Sequence, residues 1–445
     1  MNIPHIDHAL ENITAACQKK LSLLYPHGIP KSINDRYDKE ISFLSKSDYI
    51  DDFEIFRLLS EEAKKSSTPL HMRGTVMGSF IFYLLGVNCF NPLPAHYYCI
   101  DCGYYEDVKT HLFSIDLPTK KCPHCGKALA ADGFNLSVES VWGNDGKKTI
   151  SFDYNISEEF LPFARRVLTA IYPDNSVVPW GMFQFDSSNP IPAGENQIIG
   201  ISPVGYVVLP AGNCTQDYPD LISYLENGEP CITGGCWELS THLLKTILLY
   251  PVNHIDNLVK LQRATGIYAN ELSPEILRNI TWGNIYNTAL LNPTSRMLFH
   301  DLKPKTFKDM VALDSTSHNS FSWNKNGAGE LDMYQFQQMI SSESFKKYPC
   351  FTREDFFDYL VESGVPNSLA FNASECIRKG HASSVGDRKK QFDALEIPDE
   401  IKDVAGNYLY LFPRGHGIEY ILMYAELAYY AKIDSRAFSK IVFKK

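Results

Sequence analysis

Positive charge is scarce in this chain, and long apolar runs are missing. Lys and Arg total 42 of 445 residues against 52 Asp and Glu, a formal net charge of −10. The deficit is local: residues 1–259 carry 19 basic and 30 acidic side chains, residues 260–445 carry 23 and 22. Nonspecific affinity for nucleic acid comes mainly from neutralising phosphates, so an acidic body argues against strong general DNA binding, and any contact is expected to be local. No run of 18 apolar residues occurs, and Met1 to Leu10 carries Asp7 and two histidines where a secretory leader has a basic and then an apolar region. The expectation is a soluble, cytoplasmic protein with no membrane partner. Internal repeats and low-complexity segments are absent too. With 44% apolar and 13% aromatic residues, the chain can bury core for two to four domains.

Helical spacing of Ile6, Leu10, Ile13 and Cys17, and of Ile33, Tyr37, Ile41 and Leu44, predicts two amphipathic helices, with a third over Asp52 to Leu59. Pro69 to Arg73 then leads into the small-residue turn Gly74-Thr75-Val76-Met77-Gly78-Ser79 and a helix through Leu85. Alternation predicts a strand over Thr149 to Tyr154, followed by a helix from Ser157 to about Ile171. Gly205 to Pro210 reads as a short buried strand. After Tyr250 the pattern turns helical, which marks a boundary near 255–265. The basic cluster Arg378, Lys379, His381, Arg388, Lys389 and Lys390 is the candidate DNA patch, though a run of this size is more often a solvated face.

Eleven cysteines are present, seven scattered and four in two close pairs, which fits a reducing compartment with one metal site. Cys99-x-x-Cys102 and Cys122-x-x-Cys125 lie 19 residues apart, the spacing of a tetrahedral zinc ribbon. Gly103 and Gly126 follow the second cysteine of each pair and let the amides turn toward sulfur. Four thiolates leave no open position for water, so a zinc ion here is structural. His96 and His124 are available as competing ligands, but the cysteines suffice.

The series Arg73-Gly74-Thr75-Val76-Met77-Gly78-Ser79, Asn91-Pro92-Leu93-Pro94, His96-Tyr97 and the cysteine pairs resembles, in order and spacing, the palm of the PolC-type DNA polymerase III alpha subunit. Agreement continues through Ser157 to Pro173, Ser202-Pro203-x-Gly205, Leu243-Leu244-Lys245, Asp301 to Phe307, Ser317-His318, Arg378-Lys379-Gly380, Phe412-Pro413-Arg414-x-His416 and Tyr420. It covers roughly residues 20–445. The resemblance implies an α+β fold: a nucleotidyltransferase-like palm sheet (1–95 and 131–258, with a reduced thumb), a zinc-ribbon insert (96–130) and an all-helical fingers domain (259–445). The expectation is a palm-and-fingers core without the family's phosphoesterase-like domain, proofreading exonuclease and clamp-binding tail.

The family's chemistry is implied to use two Mg²⁺-type ions held by three palm aspartates. Where it has Asp-x-Asp-Leu-Asn-Phe-Ser, this chain has Ser151-Phe152-Asp153-Tyr154-Asn155-Ile156-Ser157, and where it has Leu-Lys-Leu-Asp it has Leu244-Lys245-Thr246-Ile247. Asp153 is then the sole surviving family carboxylate, with Ser151 and Ile247 in the other places, which argues against a Mg²⁺ pair. Asp186 and Glu238 are candidate recruits outside the family register. Pro179-Trp180-Gly181-Met182 replaces an arginine-bearing segment, and few residues are left for a thumb between Val177 and Ser202. The turn at Gly74, Gly78 and Ser79 resembles a triphosphate cradle, whose helix-start amides suit an anion. With Arg73, Lys245, Arg378, Lys379, Arg414 and His416 it makes up the expected nucleotide- and DNA-binding set; His318 and His416 also suit packed, hydrogen-bonded positions. The expectation is an inactive polymerase-like protein that binds DNA, a nucleotide, a replication protein or an adjacent-gene partner, in a phage, mobile-element or defence setting. The competing expectation is an active polymerase or nucleotidyltransferase that uses relocated carboxylates or a partner subunit.

Overall fold

The computed structural model describes residues 3–185, 198–268, 291–323 and 331–443. Its centre is a mixed sheet of seven strands: β1 (His71–Met72), β5 (Asp153–Ile156), β6 (Val177–Phe185), β7 (Ile198–Val208), β8 (Ile222–Tyr224), β9 (Pro230–Thr233) and β10 (Lys245–Pro251). Their order is β1-β5-β10-β7-β6-β9-β8, with β5–β10 and β6–β9 parallel and the other pairs antiparallel. A separate three-stranded sheet, β3-β2-β4, is built from β2 (His96–Tyr98), β3 (Tyr105–Asp107) and β4 (Ala130–Asp132).

The predicted helices form where apolar residues recur at helical spacing. The first, Ala9–Leu24, buries Ile13, Cys17 and Leu21, and Lys31–Leu44 buries Ile33, Tyr37 and Leu44. The third runs longer than expected, Ile50–Ser66, with Asp51 and Asp52 in its first turn and Lys64 and Lys65 in its last, both favourable to the helix dipole. Its Phe53 and Phe56 rings pack on Phe82 and Phe152. Two strands differ from expectation. β5 starts at Asp153 and ends at Ile156, later than the alternation of 149–154 suggests, because pairing with β10 and β1 sets its limits. β7 has 11 residues, since it forms a long hairpin with β6. Gly205 in β7 has φ +137°, and a Cβ there would meet the Ile247 carbonyl oxygen at 2.0 Å, so only glycine lets β10 approach.

One core face of the sheet carries Tyr154, Tyr206, Ile247 and Leu249 against the helices; the opposite side has a smaller core of Val178, Trp180, Val204, Val207 and Leu239. Helix Asn253–Thr265 crosses the expected palm–fingers boundary. Beyond it the described residues are mainly helical as expected, except that β11 (Ser320–Phe321) pairs with β12 (Tyr408–Tyr410), so the region is not all-helical. Its central element is helix Arg414–Ile433, buried along most of its length. No helix among the described residues is long and apolar enough to cross a membrane.

Candidate functional site

Asp153 opens β5 and projects to the side of the sheet opposite Tyr154, since successive side chains alternate. Its in-register neighbour on β10 is Leu248, which in turn pairs with Gly205. Ile247 faces the other way: it is 1% exposed and belongs to the helix-backed core with Tyr154. A carboxylate at position 247 would therefore point into that core, away from Asp153.

Arg73 follows β1 and its amide donates to the Asp153 carbonyl at 2.9 Å. Gly74, with φ +81°, carries the chain past Asp153, and a Cβ on it would sit 3.8 Å from both Asp153 Oδ1 and Ser151 Oγ. Arg73 Nε lies 3.5 Å from Asp153 Oδ2, long for a hydrogen bond, and the guanidinium sits 5.8 Å from the centre of the Tyr250 ring. Nε is buried and has no hydrogen-bond partner. Burial pushes the Asp153 carboxyl above its usual range, and Arg73 offsets this only in part. Arg73, Asp153, Ser151, Gly74 and Tyr250 thus form one cleft.

His416 and Tyr420 border it from helix Arg414–Ile433. Their rings stack at 4.7 Å, and Phe412 and His318 extend the stack. Burial and then the Arg73 charge bring His416 down to about 3, so its imidazole is neutral; burial alone brings His318 to about 4. Both histidines are packed residues of an aromatic column.

Four expected contact residues serve the fold instead. Gly78 and Ser79 are buried, and the amides at the start of helix Phe80–Leu84 already have an anion: the Glu40 carboxylate accepts from Phe80 N at 3.0 Å, from Ser79 Oγ at 3.0 Å and from Arg36 Nε at 2.6 Å. The cradle reading of Gly78 and Ser79 is therefore corrected: an internal carboxylate fills it. Lys245 is tied to Asp52 at 2.7 Å, both side chains 17% exposed. Arg414 is buried, with Nη2 2.8 Å from Asp355 and 2.7 Å from Asp358, and Nη1 donating to the Asn135 carbonyl. Its charge is spent inside the molecule.

In the basic segment, Arg378 pairs with Glu375 at 3.0 Å, Lys390 with Asp387 at 3.6 Å, and Lys389 with Asp393. Lys379 and Arg388 are exposed and bear on His381, whose imidazole is lowered by burial first and by these two charges next. They are what remains of the patch. Of the recruits, Asp186 lies outside the described residues, and Glu238 caps its own helix, accepting from Gly235 N at 3.4 Å.

The four cysteines do converge. Sγ atoms of Cys99 and Cys125, and of Cys102 and Cys122, are 3.5 Å apart, and all four lie within 4.8 Å of one another. Tetrahedral Zn–S bonds of about 2.3 Å place sulfurs roughly 3.8 Å apart, so the set can hold a metal ion of that size. Each pair sits in a tight turn, Gly103 N to Cys99 O and Gly126 N to Cys122 O, both 2.9 Å, with φ near +75° at each glycine. Burial raises the Cys122 thiol, but the Cys125 and His124 amides outweigh it and bring it to about 7; Cys102 and Cys125 go the other way, their backbone hydrogen bonds being outweighed by burial and the neighbouring sulfurs. No other group of three or more His, Cys, Asp or Glu among the described residues could hold a metal ion, and Asp153 stands outside any such group. Sequence reasoning missed Tyr250 and Leu248 as cleft neighbours, because only strand register brings them beside Arg73 and Asp153.

Comparison with known proteins gives the same assignment as the motifs. A family model described as the bacterial DNA polymerase III alpha NTPase domain matches residues 11–184. PolC-type DNA polymerase III of Thermotoga maritima is 22% identical over 96% of this chain and 34% of the relative's own length. That of Caldanaerobacter subterraneus is 22% identical over 98% and 34%, and that of Bacillus subtilis 26% identical over 96% and 32%. The resemblance to the PolC-type alpha subunit is therefore borne out across nearly the whole chain, which spans about a third of the length of these relatives.

Proposed function

From a chain similar to the PolC-type polymerases along nearly all of its length, we propose a polymerase-like binding protein that has kept the palm cleft as an anion site and given up nucleotidyl transfer. One observation carries this reading: among the described residues Asp153 belongs to no acidic group that could hold a metal ion, and it lies beside an arginine whose buried Nε has no hydrogen-bond partner. Two divalent ions need several carboxylates around them, and the β10 position in register with Asp153 is Leu248. Asp153 next to Arg73 and Tyr250 suits the phosphate and ring of a nucleotide or a DNA end, the arginine meeting phosphate and the aromatic face meeting sugar or base. Exposed Lys379 and Arg388 supply a second, weaker contact to a DNA backbone. The setting that fits is interference with, or sensing of, replication by a phage, mobile-element or defence protein. The Cys99–Cys125 set holds a structural zinc that keeps β2, β3 and β4 together, and its closed thiolate shell takes no part in chemistry.

The test is primer extension beside gel-shift binding on zinc-loaded protein, with primer-template, single strands, dNTPs and both Mg²⁺ and Mn²⁺. The expected result is binding without extension. Loss of the Arg73 charge-assisted contact, at about 1.5–3 kcal/mol, should weaken binding roughly 10- to 100-fold in Arg73→Ala. Extension that disappears in Asp153→Ala would establish an active polymerase with relocated or partner-supplied carboxylates. Neither binding nor extension would move the function to a protein partner.

A further inference from the structure

Strands β6 and β7 outrun their neighbours in the seven-stranded sheet. They pair with each other from Val177 and Val208 to Phe185 and Ile198, but β9 meets β6 only at Trp180 and Gly181, and β10 leaves β7 after Leu248 and Gly205. Among the described residues, no strand lies beside residues 198–204 of β7 on the β10 side. The two strands therefore project as a two-stranded ribbon, an arrangement that is marginal in water and whose edge is a template for another strand. Where β7 and β10 separate, a cavity of about 390 Å³ opens, with Ser202, Pro203 and Val204 on one side and Tyr250 and Pro251 on the other.

The two faces of the ribbon differ. Side chains alternate along each strand, so Met182, Gln184 and Ser202 share one face and Phe183, Ile199 and Ile201 the other. On the first face Gln184 donates to Ser202 Oγ, and carboxylates gather there. Glu158 and Asp256 line the cavity, and a Cβ on Gly200 would lie 3.7 Å from Glu226 Oε1. Asp256 Oδ1 accepts from Ser157 Oγ at 2.6 Å and from the Glu158 amide at 3.1 Å. None of these three carboxylates forms an ion pair among the described residues, and Arg165 and Arg263 are held by Glu229 and Glu159. The second face is apolar and open, with Phe183 41% and Ile199 61% exposed.

We propose that the open edge of β7, residues 198–202, receives an extended segment of a partner protein in which lysine or arginine alternates with apolar residues. Added as a further strand about 4.8 Å from β7, such a segment exchanges main-chain hydrogen bonds with the edge. Its period of two then turns basic side chains toward Glu158, Asp256 and Glu226 and apolar ones toward Phe183, Ile199 and Ile201. Charge selects this occupant over the two others that could reach an open edge. A second copy of this chain would bring the same carboxylates, and like charges across paired strands repel. A nucleic-acid backbone would set its phosphates against three carboxylates that hold no cation. Residues 1–259, with 19 basic and 30 acidic side chains, complement a basic partner. Tyr250 is common to this cavity and the Arg73 cleft, but neither Arg73 nor Asp153 takes part, so the site holds whether or not the cleft binds an anion.

Fluorescence anisotropy on the zinc-loaded full chain tests the assignment with three labelled peptides of equal length: one alternating lysine with valine, one of the same composition with all its lysines first, and one alternating glutamate with valine. The alternating basic peptide should bind roughly 10-fold more tightly than the block peptide, and the acidic one should not bind. Charge reversal at two exposed positions, Glu158→Lys with Glu226→Lys, should weaken it roughly 10-fold or more, while Arg73→Ala leaves it unchanged. Hydrogen exchange should show added protection within residues 198–204 when the peptide is bound. Equal binding of the two basic peptides would reduce the contact to general charge attraction and overturn the site, as would no binding of either. Full protection over residues 198–202 before any peptide is added would mean that the chain covers its own edge, and a dimer that Ile199→Lys breaks apart would give the edge to a second copy; each overturns the proposal. Peptide binding lost in Arg73→Ala but kept in the charge-reversed variant would move the peptide to the palm cleft, with the same consequence.

Discussion

Two buried basic groups, His71 and Lys148, have been pushed in opposite directions. Burial works against charge on His71, but Glu419, 2.5 Å from Nδ1, and Glu426 outweigh it and lift the imidazolium to about 10 from an ordinary 6.5. Burial and then Arg353 pull Lys148 from 10.5 down to about 7. The signs follow from which state holds more protons. Folded His71 keeps a proton that the unfolded chain has released, so its stabilisation is complete below pH 6.5 and fades as pH rises through about 10. Folded Lys148 has lost a proton that the unfolded chain retains, so stability grows as pH rises from about 7 toward 10.5. The two slopes, each at most about 1.4 kcal/mol per pH unit, largely cancel in the native protein. Denaturation curves from pH 6.5 to 9.5 should therefore separate the variants: Lys148→Met should lose stability with pH more steeply than wild type, and His71→Gln should lose it less steeply or gain. Parallel curves for all three would show that neither residue titrates as described.

At the scale of elements, the three-stranded sheet β3-β2-β4 depends on its cysteines. Its strands have three residues each, and its apolar core is Ala95, Tyr97, Leu117 and Leu129 with two of the cysteines themselves. So little buried surface does not hold such a sheet unaided. Purified protein should contain one zinc per chain by elemental analysis, and chelation or Cys122→Ser should erase hydrogen-exchange protection over residues 96–132 while β5 and β10 stay protected. Full protection after the metal is stripped would mean that the thiols are only packed side chains. The convergence of the four cysteines was legible because ligand spacing is a local property of the chain. The cradle was not: Gly74 through Ser79 has the composition of an anion-binding turn, and the carboxylate that fills it, Glu40, comes from a helix about 40 residues earlier. Strand register was equally hidden, since the face on which residue 247 lies depends on pairing with β5 and β7, which no window of sequence contains.

Across the whole molecule, the motif Phe412-Pro413-Arg414-x-His416 located its element correctly but told little of its role, because a charge fastened inside a protein and a charge offered to a ligand look alike in sequence. Helix Arg414–Ile433 packs between the Thr75–Gly78 turn and helix Phe307–His318. A Cβ at Gly415 would meet Met77 at 2.9 Å, and one at Gly417 would meet Ser315 Oγ at 2.5 Å, so glycines permit close approach on both sides. Arg414 then ties the backbone at Asn135 to Asp355 and Asp358, while Arg353 pairs with Glu375 at 2.9 Å and with Glu354, which caps the Arg414 amide at 2.8 Å. Removing one member strands the rest without water. Arg414→Met should cost about 3–5 kcal/mol in chemical denaturation, the range for breaking a buried ion pair. Because the two carboxylates repel once the cation is gone, adding Asp355→Asn should restore part of that loss, giving a double variant less damaged than the sum of the single ones. If Arg414 instead served a ligand, its replacement would leave stability within about 0.5 kcal/mol of wild type and abolish binding. The same variants read by both denaturation and gel shift therefore decide whether this arginine, shared with the PolC-type motif, belongs to the frame or to the surface.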